Sequence, residues 1–326
     1  MQKINWGIIG CGDVTEVKSG PAFNKVSDSS LVAVMRRDSD KAKDYASRHQ
    51  VPKWYDDANL LINDPDVNAI YVATPPSSHE AYTLAAFEAG KPVYVEKPMS
   101  MNHDAALNMA NAAAANNIKL SVAHYRRGWP LFKQVKQWLD EKLIGQPLFV
   151  RLDCHKMKLT QEELQTTKTA WRIDPAIAGG GLFNDLSPHQ LDIMYHLFGP
   201  VEKVVGVATN QLNEYAADDM VAGNILFRSG VVFSGTWCFN VSAGHDKEWC
   251  EITGTKGSIG FSFFEIKPVI VTVDGITRSV SFEPMQHVQQ PMIEKVVAYF
   301  LDKGPNPCSG ADGTEVMRLI DKFTAR

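Results

Sequence analysis

Two short segments have the residue types and spacing for dinucleotide chemistry. Gly10-Cys11-Gly12-Asp13-Val14-Thr15 directly follows an apolar run at Ile4–Ile9. A dinucleotide-binding turn needs one glycine for its tight bend and a second so that the backbone can approach a pyrophosphate. Gly10 and Gly12 take those places, and Cys11, Asp13 and Val14 complete a phosphate cradle at a helix N-terminus. Thr15 stands where the fingerprint has its third glycine, and Ser19-Gly20-Pro21 is expected to interrupt the first helix early. The second segment, Val34-Met35-Arg36-Arg37-Asp38, ends the next apolar run and bears on cofactor choice. An acidic residue there would accept the ribose 2′-hydroxyl of NAD. The guanidinium groups of Arg36 and Arg37 instead suit a 2′-phosphate through forked hydrogen bonds, which favours NADP, with NAD as the alternative. The competing reading is a solvated arginine pair, with Asp38 capping the following helix.

A third group lies far along the chain. Asp185, His189, Asp192 and His196 recur at i, i+4, i+7 and i+11, so a helix beginning at Asp185 places them on one face. Pro188 fits such a helix in its first turn, where its missing N–H has no intrahelical partner, and Gly199-Pro200 ends it. The stripe suits substrate hydroxyls, with His189 as an acid/base and Asp185 orienting or charge-stabilising it; the alternative is a solvated helix face. Leu186, Ile193 and Leu197 fall on a different, apolar face. A His–Asp pair one turn apart can share a cation, but no His-Glu-x-x-His pattern or cysteine cluster accompanies it, and no metal is expected. Gly179-Gly180-Gly181 reads either as a flexible loop or as room for the backbone to approach cofactor or substrate. Strand alternation turns Cys154 and His155 to opposite faces, and His155 is a candidate substrate contact, with a structural histidine as the even alternative.

The elements that must position these groups fall into two regimes. Apolar runs at Ile4–Ile9, Leu31–Met35, Ala69–Ala73, Val93–Glu96 and Lys119–Ala123 alternate with helical stretches at Asp38–His49, Ser78–Ala89 and His103–Asn116. That rhythm implies parallel βαβ units and a doubly wound Rossmann sheet. From Gln146 onward the strand-like runs have fewer helices and are separated by turn signals such as Arg228-Ser229-Gly230 and Asp274-Gly275. The fold class is therefore α/β: an N-terminal Rossmann domain over residues 1–124, and an α+β domain over 125–326 with a mostly antiparallel, open-faced sheet. A crossing helix near Leu131–Leu143 can belong to either side. A net charge of −4 argues against nucleic acid as a partner. No apolar run approaches the roughly 18 residues of a membrane span. Five cysteines without a Cys-x-x-Cys pair are expected as free, mostly buried thiols in the cytoplasm.

Ala73-Thr74-Pro75-Pro76-Ser77-Ser78-His79, Val93-Tyr94-Val95-Glu96-Lys97-Pro98 and Gly179-Gly180-Gly181-Leu182-Phe183-Asn184-Asp185-Leu186-Ser187-Pro188-His189 carry a more specific signal. With them the sequence resembles the Gfo/Idh/MocA family (glucose–fructose oxidoreductase, inositol dehydrogenase, rhizopine catabolism), over nearly its whole length. The resemblance implies that Lys97 lies by the nicotinamide and the reacting carbinol, and that Lys97-Pro98 is a candidate cis bond. It implies that Glu96, Thr74, Pro75 and His79 contact the nicotinamide ribose, and that Trp171-Arg172 reaches over the cofactor as in several NADP-dependent members. Asp185 and His189 become the other catalytic positions, and Asp192 a substrate contact. Tyr125-Arg126-Arg127-Gly128 departs from the family's Asn-x-Arg-Phe. No late tyrosine aligns near the substrate, leaving His287 and Gln290 as weaker candidates.

The expected activity is hydride transfer to or from a sugar, polyol or related carbonyl carbon, with Lys97 and His189 as acid/base. Two other readings follow from relatives: redox-assisted glycoside cleavage with tightly held NAD, and a non-catalytic dinucleotide-sensing regulator. Retention of both Lys97 and His189 speaks against the regulator, since binding alone needs neither. The resemblance further implies that an exposed face on the second sheet, an aggregation liability if left bare, is covered by association into a homodimer or homotetramer.

Overall fold

The computed structural model describes residues 2–324, and its contacts divide the chain into two compact units. The first runs from the N-terminus through Trp129 and takes in Met285–Met317; the second comprises Pro130–Pro284 and the chain from Arg318 onward. A single division at 124/125 does not describe this packing, because the helix Gln290–Phe300 returns to the first unit. Its Met292, Ile293, Val296 and Phe300 are buried there, and Phe300 lies 5.5 Å, ring to ring, from Trp6. The helix Pro130–Asp140 falls in the second unit.

The first unit holds six parallel strands: β1 (Ile4–Ile9), β2 (Ser29–Met35), β3 (Lys53–Tyr55), β4 (Ala69–Val72), β5 (Val93–Val95) and β6 (Leu120–Val122). They are arranged 3-2-1-4-5-6, the doubly wound order whose reversal beside β1 creates a crevice at the carboxyl ends of the strands. β4, β5 and β6 are buried throughout, as a sheet covered on both faces requires. Asp38 caps the helix Ser39–His49 by accepting the Lys41 N–H at 3.1 Å, and Asn102 caps His103–Ala115 in the same way. Strand register sets the level of every loop at the carboxyl ends. Met35 pairs with Ile9, Ile9 with Val72, and Val72 with Val95. Arg36, the glycine turn, Ala73-Thr74 and Glu96-Lys97 therefore leave the sheet side by side.

The second unit is an eight-stranded sheet of β7 (Pro147–Met157), β8 (Val201–Thr209), β9 (Met220–Phe227), β10 (Val232–Val241), β11 (Lys247–Gly254), β12 (Gly257–Phe261), β13 (Val269–Val273) and β14 (Ile276–Val280). Their order is 14-13-12-11-7-10-9-8, antiparallel except for the β7–β10 pair. β13 and β14 form a two-residue hairpin at Asp274-Gly275, where both central residues have positive φ (47° and 82°), as a primed turn demands. One face is core, with Val150, Leu152, Phe233 and Trp237 buried. The other leaves Phe149, Val205, Val207 and Val232 between 42% and 63% exposed. Among the described residues no helix is long and apolar enough to cross a membrane.

Candidate active site

In the first unit the turn after β1 is built from the backbone outward. Gly10 has φ +95, and a Cβ there would lie 2.8 Å from the Thr74 amide nitrogen and 2.9 Å from the Ala73 carbonyl carbon, so only glycine fits. Gly12 is different: a Cβ would meet nothing nearer than the Gly10 oxygen at 3.9 Å. That open ground beside the backbone is what close approach of a pyrophosphate requires, and the turn fits a dinucleotide. The following helix, Asp13–Val17, is short, and a second begins at Gly20, as the Ser19-Gly20-Pro21 sequence predicts. The amides of Gly12, Asp13 and Val14 open this helix, where N–H groups have no intrahelical acceptor.

Thr15 replaces the third glycine without loss of close packing. Its hydroxyl donates to the Gly12 carbonyl at 2.8 Å, and its own carbonyl accepts the Tyr45 hydroxyl at 2.8 Å. Gly20 supplies the missing space, since a Cβ there would sit 2.2 Å from both the Thr15 oxygen and the Tyr45 hydroxyl. Glu16 is clamped by the Arg48 guanidinium at 2.8 and 2.9 Å, which holds its carboxyl down at about 2.

Cys11 faces inward. Its N–H donates to the Met35 carbonyl at 3.1 Å and its side chain is fully buried. As a cofactor contact it is thus limited to shaping the turn. Burial pushes its thiol up to about 11, and a thiol at that pKa presents almost no thiolate at pH 8. Cys11 is expected to resist iodoacetamide in the native protein at pH 8 and to label on denaturation, as peptide mass mapping reads directly; rapid native labelling would contradict this burial. All five cysteines are free, and all but Cys238 are buried.

Arg36 is half-buried and donates from Nη1 to the Cys11 carbonyl at 3.3 Å, which brings its guanidinium over the glycine turn. Arg37 is exposed, and Asp38 forms the helix cap described above together with an ion pair to Lys41 at 2.7 Å.

The loops after β4 and β5 are joined by His79. Its Nε2 faces the Thr74 carbonyl at 2.7 Å, its Nδ1 faces the Pro98 carbonyl at 3.0 Å, and the ring is fully buried. Burial lowers its pKa, and the two carbonyls oppose that shift. The resemblance implies a ribose contact for His79; the structure puts the ring behind the loops, with both nitrogens engaged by the chain. Thr74 and Pro75 are half-buried at the end of β4, where Ser78 Oγ donates to Thr74 Oγ1 at 2.8 Å. Lys97-Pro98 is cis, as expected. Glu96 is buried: its Oε1 accepts the Tyr71 hydroxyl at 2.5 Å and the Gln289 amide at 2.6 Å, and its Oε2 accepts the Lys97 N–H at 3.1 Å. Gln289 escaped the sequence reading, which singled out its neighbours His287 and Gln290; nothing in local pattern marks a glutamine whose partner is 193 positions away. Gln290 pairs with Glu294 on the surface, and His287 Nδ1 faces the Val17 carbonyl at 2.6 Å.

In the second unit the helix Leu182–Phe198 begins three residues before the expected start at Asp185, so Pro188 is interior rather than in the first turn. The Gly181 N-cap explains the earlier start. A Cβ there would lie 2.6 Å from Ala217 Cβ, and one at Gly180 would lie 2.1 Å from Asn184 Oδ1. Gly179 ends the preceding short helix with φ +80. Gly180 and Gly181 thus admit close protein packing and Gly179 a left-handed helix end, rather than the three forming a loose loop. His189 and Asp192 are buried while Asp185 and His196 are half-buried, so the stripe is not a solvated face.

Asp185 accepts Arg172 Nε at 3.2 Å, and the Arg172 guanidinium lies 4.5 Å from the Trp171 ring. The ring of His189 meets Phe264 edge to face at 5.9 Å. Phe264 is held by Glu248, a buried carboxylate that accepts the N–H groups of Phe263 and Phe264 and the hydroxyl of Ser262. Glu248 was not foreseen, because an acidic residue on a strand's inner face has no sequence signature.

His155 does not join Asp185, His189 and Asp192. Cys154 is the residue on the core face of β7, beside Gln190 of the same helix, and the Gln190 side chain accepts Trp237 Nε1 at 2.6 Å. Alternation turns His155 to the opposite face, with Asp153 at 4.0 Å.

Comparison with known proteins agrees with this architecture. A model of an oxidoreductase family's NAD-binding Rossmann fold matches residues 4–124, and one of the GFO/IDH/MocA C-terminal domain matches 132–260. An oxidoreductase of Formosa agariphila is 46% identical over 321 residues, covering 98% of each chain. An inositol 2-dehydrogenase of Acidothermus cellulolyticus is 28% identical, covering 85% of this chain and 77% of its own. The solved structure of levoglucosan dehydrogenase with NADH and levoglucosan superposes with a TM-score of 0.87 at 23% identity, over 99% of this chain and 96% of that one.

Proposed function

This chain belongs to the Gfo/Idh/MocA oxidoreductase family, and from that membership we propose that it moves a hydride between NADP(H) and a carbinol or carbonyl carbon of a sugar, polyol or related compound. Bound nicotinamide supplies the hydride chemistry; the chain supplies binding, orientation and proton transfer. Gly12, Asp13 and Val14 receive the pyrophosphate, and Arg36 with Arg37 receives the adenosine 2′-phosphate. Lys97 gives its Nζ proton to a forming alkoxide or takes one from an alcohol, and His189 is a second acid/base, with Asp185 and Asp192 as substrate contacts. The observation that carries the reading is the common level of three loops in the first unit: the open Gly12 turn, Thr74-Pro75, and Lys97 directly after a Glu96 fixed by three donors. Names among the relatives, an inositol dehydrogenase and a levoglucosan dehydrogenase, support a carbohydrate-like substrate. The exposed apolar residues of the second sheet support association of copies of the chain.

The test is a panel of sugars, polyols and carbonyl compounds run with NADPH and NADH in parallel. Wild type is expected to prefer NADPH, and Arg36→Ala to raise the KM for NADPH by about tenfold, equivalent to ~1.4 kcal/mol, with little change for NADH. A wild-type preference for NADH would overturn the arginine assignment, and no turnover with either cofactor would overturn the activity.

A further inference from the structure

Gln289 stands at the start of the helix Gln290–Phe300, yet its side chain makes no cap to that helix. It is fully buried, and its amide donates 2.6 Å to Glu96 Oε1. Its own carbonyl oxygen lies 3.5 Å from the Tyr71 hydroxyl, which donates chiefly to the same Glu96 oxygen. With Oε1 saturated from one side, Oε2 is directed at the Lys97 N–H. The same short segment grips the helix after the glycine turn: the Gln289 backbone N–H donates to the Lys18 carbonyl at 3.2 Å, and the His287 ring Nδ1 faces the Val17 carbonyl. One stretch from near the C-terminus therefore holds both the phosphate-side helix and the strand end that carries Lys97, all within the first unit.

We propose that Gln289 is a positioning residue for Lys97: its amide holds the Glu96 carboxylate, and that carboxylate holds the Lys97 backbone N–H. The physical reason is directional. A buried carboxylate must have its oxygens satisfied, and with Tyr71 alone on Oε1 the group is free to turn about its last torsion and release the Lys97 amide. The amine of Lys97 departs from that backbone, and misplacement by about 1 Å costs roughly 100-fold in a reaction that depends on alignment. The inference rests on the reading of Lys97 as the acid/base.

The experiment compares wild type, Gln289→Ala and Gln289→Glu by amide-resolved hydrogen exchange, NADPH titration by fluorescence, and turnover against pH. In Gln289→Ala the Lys97 amide is expected to exchange about tenfold faster or more, while β1 amides stay near wild type. The value of kcat is expected to fall by about 10–100-fold, with KM for the carbonyl substrate within about threefold. Gln289→Glu places a second carboxyl against Glu96, whose ionisable surroundings include the adjoining Lys97 and the hydroxyls of Tyr71 and Tyr94, both held well above 10 by burial and then by Glu96. Two carboxylates this close do not both ionise readily. Protonated, the new group donates as the amide does; kcat and Lys97 protection should therefore approach wild type at low pH and fall as pH rises, a limb absent from wild type.

Unchanged Lys97 exchange in Gln289→Ala, or acceleration spread evenly over the unit, overturns the inference. If Gln289→Ala does not fold, the exchange and turnover limbs of Gln289→Glu decide, and their absence overturns it. If Lys97 loosens as expected but wild type turns over no substrate with either dinucleotide, the positioning stands and the proposed function falls.

Discussion

Alanine in place of Lys97 is expected to slow hydride transfer by about 10²–10⁴-fold, the usual contribution of a positioned acid/base, while NADPH binding stays within a few-fold. β5 ends at Val95 in register with Val72, and Glu96 is fixed by Tyr71, Gln289 and the Lys97 amide. The Lys97 amine is therefore delivered from a backbone with little freedom, so its loss removes a proton carrier and leaves the binding loops in place. Stopped-flow single turnover of the preferred substrate, followed by nicotinamide absorbance, measures the step directly. A rate near wild type would remove Lys97 from the chemistry. The same measurement on His189→Ala separates a second proton carrier, which slows the step, from a wall of the pocket, which raises KM.

The second large effect divides the two glycines of the turn. Gly10→Ala is expected to destabilise the fold by about 1–3 kcal/mol, since it combines φ +95 with a Cβ pressed against the Thr74 backbone. Gly12→Ala should change stability by less than about 1 kcal/mol, because its φ of −134° suits any residue and its Cβ would enter open space. That methyl occupies the ground a pyrophosphate needs, so dinucleotide affinity should drop about tenfold or more, equal to at least ~1.4 kcal/mol. Thermal unfolding and NADPH titration of both variants read the contrast. A Gly12→Ala protein that binds NADPH as wild type does would mean the turn serves something other than a dinucleotide.

Local pattern made the first unit's sheet legible: five of its strands are apolar runs that a covered parallel sheet requires, and the cap at Asp38 announces its helix. β3 went unseen because it is a three-residue edge strand with no buried residue. The glycine turn, Arg36 and Lys97 sit where the sequence puts them because each follows directly from a strand end. The supporting residues were hidden for the opposite reason. Gln289 and Glu248 act on partners far away in sequence or around a hairpin, and no local periodicity encodes such a pairing. The helix carrying His189 was misjudged at its start because Pro188 argued for a first-turn position, whereas packing of Gly180 and Gly181 sets the start earlier. His155 was misplaced by treating alternation as open, when the partner strands settle it: Cys154 pairs with buried Trp237 and Glu248.

The Trp6–Phe300 contact also has a bearing on biosynthesis. Trp6 leaves the ribosome roughly 290 residues before Phe300. At about 5–20 residues per second the interval is roughly 15–60 s. Throughout it the nascent sheet carries an uncovered aromatic surface around Trp6, and Glu96 lacks its Gln289 donor. The unit that begins first thus closes only after the intervening stretch of the second unit has been made.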